Sequence, residues 1–180
     1  MPMNKARQAA TLLAVLVLFA AGCDTGLGPP DEPSGFSGVI RFKHWPPADS
    51  VLELRLIAFP TYPSDSASIL LDLLYGYAVA YPQIGQPNLL LDTTQHVLFA
   101  DSIRYTFSTA GTTLKVGVYS YVAMAWRYGP NVFADWSPAG VYSTGPGPYD
   151  AAPVRVLLHK TITGIDINAD FANPPPKPWR

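Results

Sequence analysis

The strongest constraint on this chain is a period of two that recurs between turns. In VLELRLIAF, Leu52, Leu54, Leu56 and Ala58 share one face while Glu53 and Arg55 share the other. In SIRYTF, Ile103, Tyr105 and Phe107 alternate with Arg104 and Thr106. In GIDINADF, Ile165, Ile167, Ala169 and Phe171 alternate with Asp166, Asn168 and Asp170. Successive side chains of a strand point to opposite faces, so each segment predicts a strand with one buried and one wet face. GVIRF, LKVGVYSYVAMAW and APVRVLLH, rich in β-branched and aromatic residues, add less regular strands. The middle one is long and apolar on both faces, which suits a central strand or one bent at Gly117.

Punctuated by 19 Pro and 14 Gly, short strands at this spacing predict an all-β fold, an antiparallel β-sandwich over 36–172. That length suffices for one buried core. Residues 173–180, NPPPKPWR, predict a polyproline II tail: an unstructured stop, or a segment able to dock on an aromatic groove in a partner.

The N-terminus carries a different signal. Lys5 and Arg7 precede an uncharged apolar run from Ala9 to Ala21, and Ala20, Ala21 and Gly22 supply small residues. The run is shorter than the roughly 20 residues a bilayer span needs and is followed by Gly26, Pro29 and Pro30, so it predicts a removed signal. Ala20-Ala21-Gly22-Cys23 resembles the lipobox of bacterial lipoproteins, with Ala20 where Leu is commonest. That resemblance implies cleavage before Cys23, the chain's single cysteine, and its lipidation and acylation. The alternative is an ordinary secretory signal preceding an unrelated cysteine. A multi-chain anchor holds stably where one acyl chain does not, so the expected location is the cell membrane or the outer membrane, with the domain outside the cytoplasm. Asp24 resembles an inner-membrane retention signal of enteric bacteria; the leaflet stays open. Residues 23–35 then form the lipidated cysteine and a Pro/Gly spacer.

SGVIRF, WPPADSVLELRLIAF, GVYSYVAMAW and GIDINADF together look like the small lipid-anchored β-sandwich domains of bacterial envelopes, immunoglobulin-like or transthyretin-like in type and similar to the carboxypeptidase-regulatory-like group. The resemblance implies a binding, spacer or surface-display role and transfers no catalytic residue.

Local motifs for chemistry are missing. Asp166, Asn168 and Asp170 start like a calcium loop, but Phe171 continues a strand where the loop needs glycine. His44, His96 and His159 lie in separate segments, and there is no GxSxG, P-loop or GxGxxG. Glu occurs only at Glu32 and Glu53, which leaves no obvious acid pair for glycoside cleavage. Without Lys5 and Arg7 the 12 basic residues become 10 against 13 acidic, a net charge near −3 with no basic stripe for nucleic acid. No catalysis, metal or cofactor is expected, and with Cys23 lipidated no disulfide.

Two stretches invite a partner. In SASILLDLLYGYAVAYPQIGQP, Ile69, Leu70, Leu73, Leu74 and Tyr77 fit a helical stripe, so a short helix near 67–77 either caps the sandwich or stands exposed to a protein or membrane. In WRYGPNVFADWSPAGVYSTGPGPYD, the rings of Trp126, Tyr128, Phe133, Trp136, Tyr142 and Tyr149 either form a ligand platform or plug and edge the core. The expected function is a non-catalytic envelope lipoprotein serving as a structural or protein-interaction module. The alternative is a carbohydrate- or ligand-binding module built on those aromatic loops.

Overall fold

In the computed structural model, residues 32–92, 96–147 and 149–179 are described. The signal segment, Cys23 and most of the spacer lie outside them. Among the described residues, ten strands, one α-helix, α1 (Ser66–Leu74), and two short 3-10 turns make an all-β sandwich-like architecture.

The first sheet is built on β1 (Gly35–Lys43). One edge of β1 pairs antiparallel with β4 (Ser102–Ser108), from Gly35↔Ser108 to Arg41↔Ser102. Its other edge pairs with β9 (Thr161–Ile162) and then β10 (Ile167–Asp170), both parallel. The second sheet is antiparallel throughout, in the order β3 (Val79–Tyr81), β2 (Glu53–Phe59), β6 (Tyr121–Arg127), β7 (Trp136–Val141). Two short strands, β5 (Gly117–Tyr119) and β8 (Val154–Val156), pair apart from both. LKVGVYSYVAMAW is therefore two strands: the chain leaves the small sheet at Tyr119 and enters the second sheet at Tyr121.

The parallel pairs depart from a purely antiparallel sandwich, and their origin is local. After β8 the chain reverses at Leu158–His159, between the bridged residues Leu157 and Lys160, and comes alongside Gly35. From there it follows β1 in β1's own direction. The register gains one residue between Ile162 and Ile167, which breaks the ladder. Asp166 fills the break: its carboxylate accepts the Val39 N–H at 2.9 Å and pairs with Arg41. Gly38 faces this point because a Cβ there would strike the Ile165 carbonyl.

The core lies between the two main sheets. Phe36, Ile40, Phe42, Phe107 and Ile167 of the first meet Leu54, Leu56, Val122 and Met124 of the second. β4 and β10 keep the predicted alternation. β2 does not: Arg55, Ile57 and Phe59, on its supposedly wet face, are buried, while Leu52 lies outside the strand and is 40% exposed. A second apolar cluster covers that face, drawing Ile69 and Leu73 from α1.

The three histidines all sit in left-handed turns, a backbone region in which His is enriched among non-glycine residues. His44 closes β1, and its Nδ1 donates to Asp170 at 2.8 Å. The imidazole, with the side chain and N–H of Asn173 and the N–H of Ala172, holds the Asp170 carboxyl down to about 2. A carboxyl whose folded pKa is depressed stabilises the fold above its unfolded value, and that contribution disappears as pH falls through about 2. Carboxyl NMR should therefore place the Asp170 midpoint near 2 in the native chain and move it up toward 3.8 in His44→Ala. An unchanged midpoint would remove His44 as the main cause.

Candidate functional site

α1 explains how the second face of β2 and β6 becomes a site. Ile69 and Leu73, one turn apart, lie against Ile57, Phe59, Ala78 and Ala80. The helix stops at Leu74 because Gly76 takes a left-handed φ of 71° and the Ala78 N–H turns back to the Asp72 carbonyl. Tyr77 thus leaves the helical stripe and is exposed, as are Leu71, Leu74 and Tyr75. α1 lies over the outer face of the second sheet, which corrects the expectation of a cap across the end of the sandwich.

The cover is incomplete, and a cleft of about 700 Å³ remains. α1 contributes Ile69, Leu73 and Leu74, while Ile84 and Gly85 form a second wall. Opposite them stand Val132, Phe133 and Trp136. Lys177 and Trp179, from the C-terminal tail, form one edge. The volume and the apolar lining fall in the range of small-molecule and peptide-anchor pockets, about 300–1,000 Å³.

Its floor carries charge. Arg55 is nearly fully buried and pairs through Nε with Glu53. Its Nη1 donates to the carbonyls of Pro82 and Gln83, and Nη2 donates to that of Gln86 at 2.9 Å. One guanidinium thereby fixes the 82–86 loop and, with it, the Ile84 wall. Arg127 donates from Nε to the other Glu53 oxygen at 3.1 Å and from Nη1 to the Gly129 carbonyl. The polar groups are spent on each other and on the backbone, so what the cleft offers a ligand is mainly apolar surface.

The six aromatic residues singled out from sequence do not share one platform. Trp126 packs on the main core, edge-on to Phe171 at 5.2 Å, and its buried Nε1 has no acceptor among the described residues. Tyr142 is half-buried on the same core. Phe133 and Trp136 alone border the cleft. Asn131 presents Phe133: its Oδ1 accepts the N–H groups of Phe133 and Ala134, and Asp135 Oδ2 accepts that of Asn131. Trp136 donates from Nε1 to the Val132 carbonyl at 2.9 Å, bracing the same turn.

Tyr128 and Tyr149 bind the chain's own tail. The Tyr149 hydroxyl donates to the Asn173 carbonyl at 2.9 Å. Lys177 Nζ donates to the Tyr128 hydroxyl at 3.2 Å and lies 5.2 Å from its ring centroid, a cation–π distance. Pro175 is buried, so the tail lies against the domain.

Sequence reasoning missed Glu53, Arg55, Ile84 and Trp179 as neighbours. The one available signal was Arg55 itself, a charge in a strand whose next alternate positions, Ile57 and Phe59, are large and apolar. Comparison with protein-family models, curated proteins and solved structures returned no match to this chain.

Proposed function

We propose that the protein is a non-catalytic lipoprotein of a bacterial cell envelope, anchored through Cys23, whose β-sandwich docks a partner polypeptide in the cleft between α1 and the 132–136 turn. The observation that carries this reading is that both partner-seeking stretches of the sequence, the Leu-rich segment and the aromatic loop, line the same 700 Å³ apolar cleft. A peptide side chain suits such a lining, because large apolar anchors entering a pocket supply most of the energy of a protein contact. Carbohydrate draws less support: sugar hydroxyls need free polar partners around a ring face, and here Glu53, Arg55 and Arg127 are already hydrogen-bonded to one another and to loop carbonyls.

The test has two arms on the full chain expressed in a bacterial host. Wild type is expected to lose residues 1–22, gain acyl mass and partition to membranes, with Cys23→Ala doing none of these. An unmodified thiol on soluble protein would sink the anchor. In the second arm, the dye 8-anilinonaphthalene-1-sulfonate should bind wild type saturably and bind Phe133→Asp at least fivefold more weakly. Equal binding by the two proteins, or none by either, would remove the cleft as the docking site.

A further inference from the structure

The tail offers a built example of what the cleft and its surroundings recognise. Three prolines, Pro174 to Pro176, favour the polyproline II helix, which repeats every three residues. The exposure pattern follows that repeat from Pro175, which is buried, to Pro178, which is half-buried like Trp179 after it, while Pro174, Pro176 and Lys177 are exposed. One edge of the helix therefore lies on the domain. It is held at the start by Tyr149 on Asn173, further along by Tyr128 on Lys177, and at its end Trp179 reaches the cleft.

Aromatic side chains that receive successive turns of a preformed polyproline helix are a recurring mode of peptide recognition, economical because the ligand loses little entropy on binding. We propose that the surface running from Tyr149 over Tyr128 into the cleft is a recognition site for proline-rich peptide segments bearing a lysine and a following aromatic residue. The chain's own 173–179 segment occupies it in cis. This deepens the reading of the cleft as a polypeptide-docking site and rests on it.

Occupation in cis has a consequence for binding. A tethered segment acts at an effective concentration of order millimolar when its linker is short, so an external peptide must displace it. Partner binding is then weak in the wild-type chain and is released when the tail lifts.

The test uses the full chain, wild type and Lys177→Ala/Trp179→Ala, with a fluorescein-labelled synthetic peptide of the sequence ANPPPKPWR followed by anisotropy. The double variant changes only tail residues, and circular dichroism checks its fold. It is expected to bind the peptide saturably and at least tenfold tighter than wild type does. Adding Tyr128→Ala should cost tenfold or more, and an analogue with every proline replaced by glycine should not bind. If the glycine analogue binds as well as the parent, or Tyr128→Ala has no effect, the proline-helix site is wrong while the cleft still takes polypeptide. If neither peptide binds the double variant although anilinonaphthalene sulfonate still occupies the cleft, the proposal again fails alone. Failure of both peptide and dye overturns the cleft reading with it.

Discussion

Phe36→Ala is expected to lower the unfolding free energy by about 3–5 kcal/mol, enough to consume much of the stability of a domain this size. Phe36 is fully buried near the start of β1, the strand that joins β4, β9 and β10 into one sheet. Its ring lies 5.3 Å from that of Phe107 and edge-on to Tyr105 at 6.2 Å, and both partners are themselves buried. Truncation removes the transfer energy of the ring and leaves a void that two sheets pinned by their ladders cannot close. Phe36→Leu keeps most of the volume and should cost less than half as much. Urea unfolding followed by tryptophan fluorescence measures both. A loss below about 1 kcal/mol for Phe36→Ala would mean that β1 is not the organising strand.

How far the sequence foretold this follows from what each position reports. Strands β4 and β10 were legible because each has one face in the core and one in water, so the buried and exposed residues alternate visibly. β2 was misread on its second face: the apolar cover comes from α1, Trp136 and Ala151, the loop after β3 closes over Arg55, and no periodicity within VLELRLIAF encodes what lands on it. The break at Ser120 was hidden for a similar reason, since a strand that changes sheets keeps its β-propensity throughout.

The parallel run of β9 and β10 was likewise invisible, because strand pairing partners are set by the path of the chain rather than by local pattern. Of the candidate site, Phe133 and Trp136 were found by composition. Tyr128 and Tyr149 stand out in the sequence as aromatic side chains at loops, but what they contact in the structure is the NPPPKPW tail, far along the chain. From its prolines the tail reads as an unstructured stop or a ligand for a partner's groove; that Pro175 is buried on its own domain was not legible.

Arg55→Met should cost about 1–3 kcal/mol, and for an electrostatic reason. The substitution keeps much of the side chain's volume but deletes the charge facing Glu53, whose side chain is 15% exposed. Arg127 alone then compensates that carboxylate, and the Pro82, Gln83 and Gln86 carbonyls lose their donor. Gln86 is exposed and Pro82 and Gln83 are half-buried, so water replaces the lost donor at these carbonyls and the cost falls mainly on the weakened pairing of Glu53. Arg55→Lys separates the two contributions. It retains a positive charge beside Glu53 yet offers no planar fork to span three carbonyls, so it should recover part of the stability and little of the loop order. Native-state hydrogen exchange of the Gln86 amide, which donates to the Gln83 carbonyl at 2.9 Å, reads the loop directly: its protection should fall in both variants, and most in Arg55→Met. The double substitution Glu53→Gln/Arg55→Met should be more stable than Arg55→Met alone, because it removes a carboxylate that the single change leaves with one partner in place of two. If the double variant is instead the weaker, the Arg127 guanidinium left without its carboxylate outweighs that gain, and the Glu53–Arg127 pair is what holds the floor of the cleft.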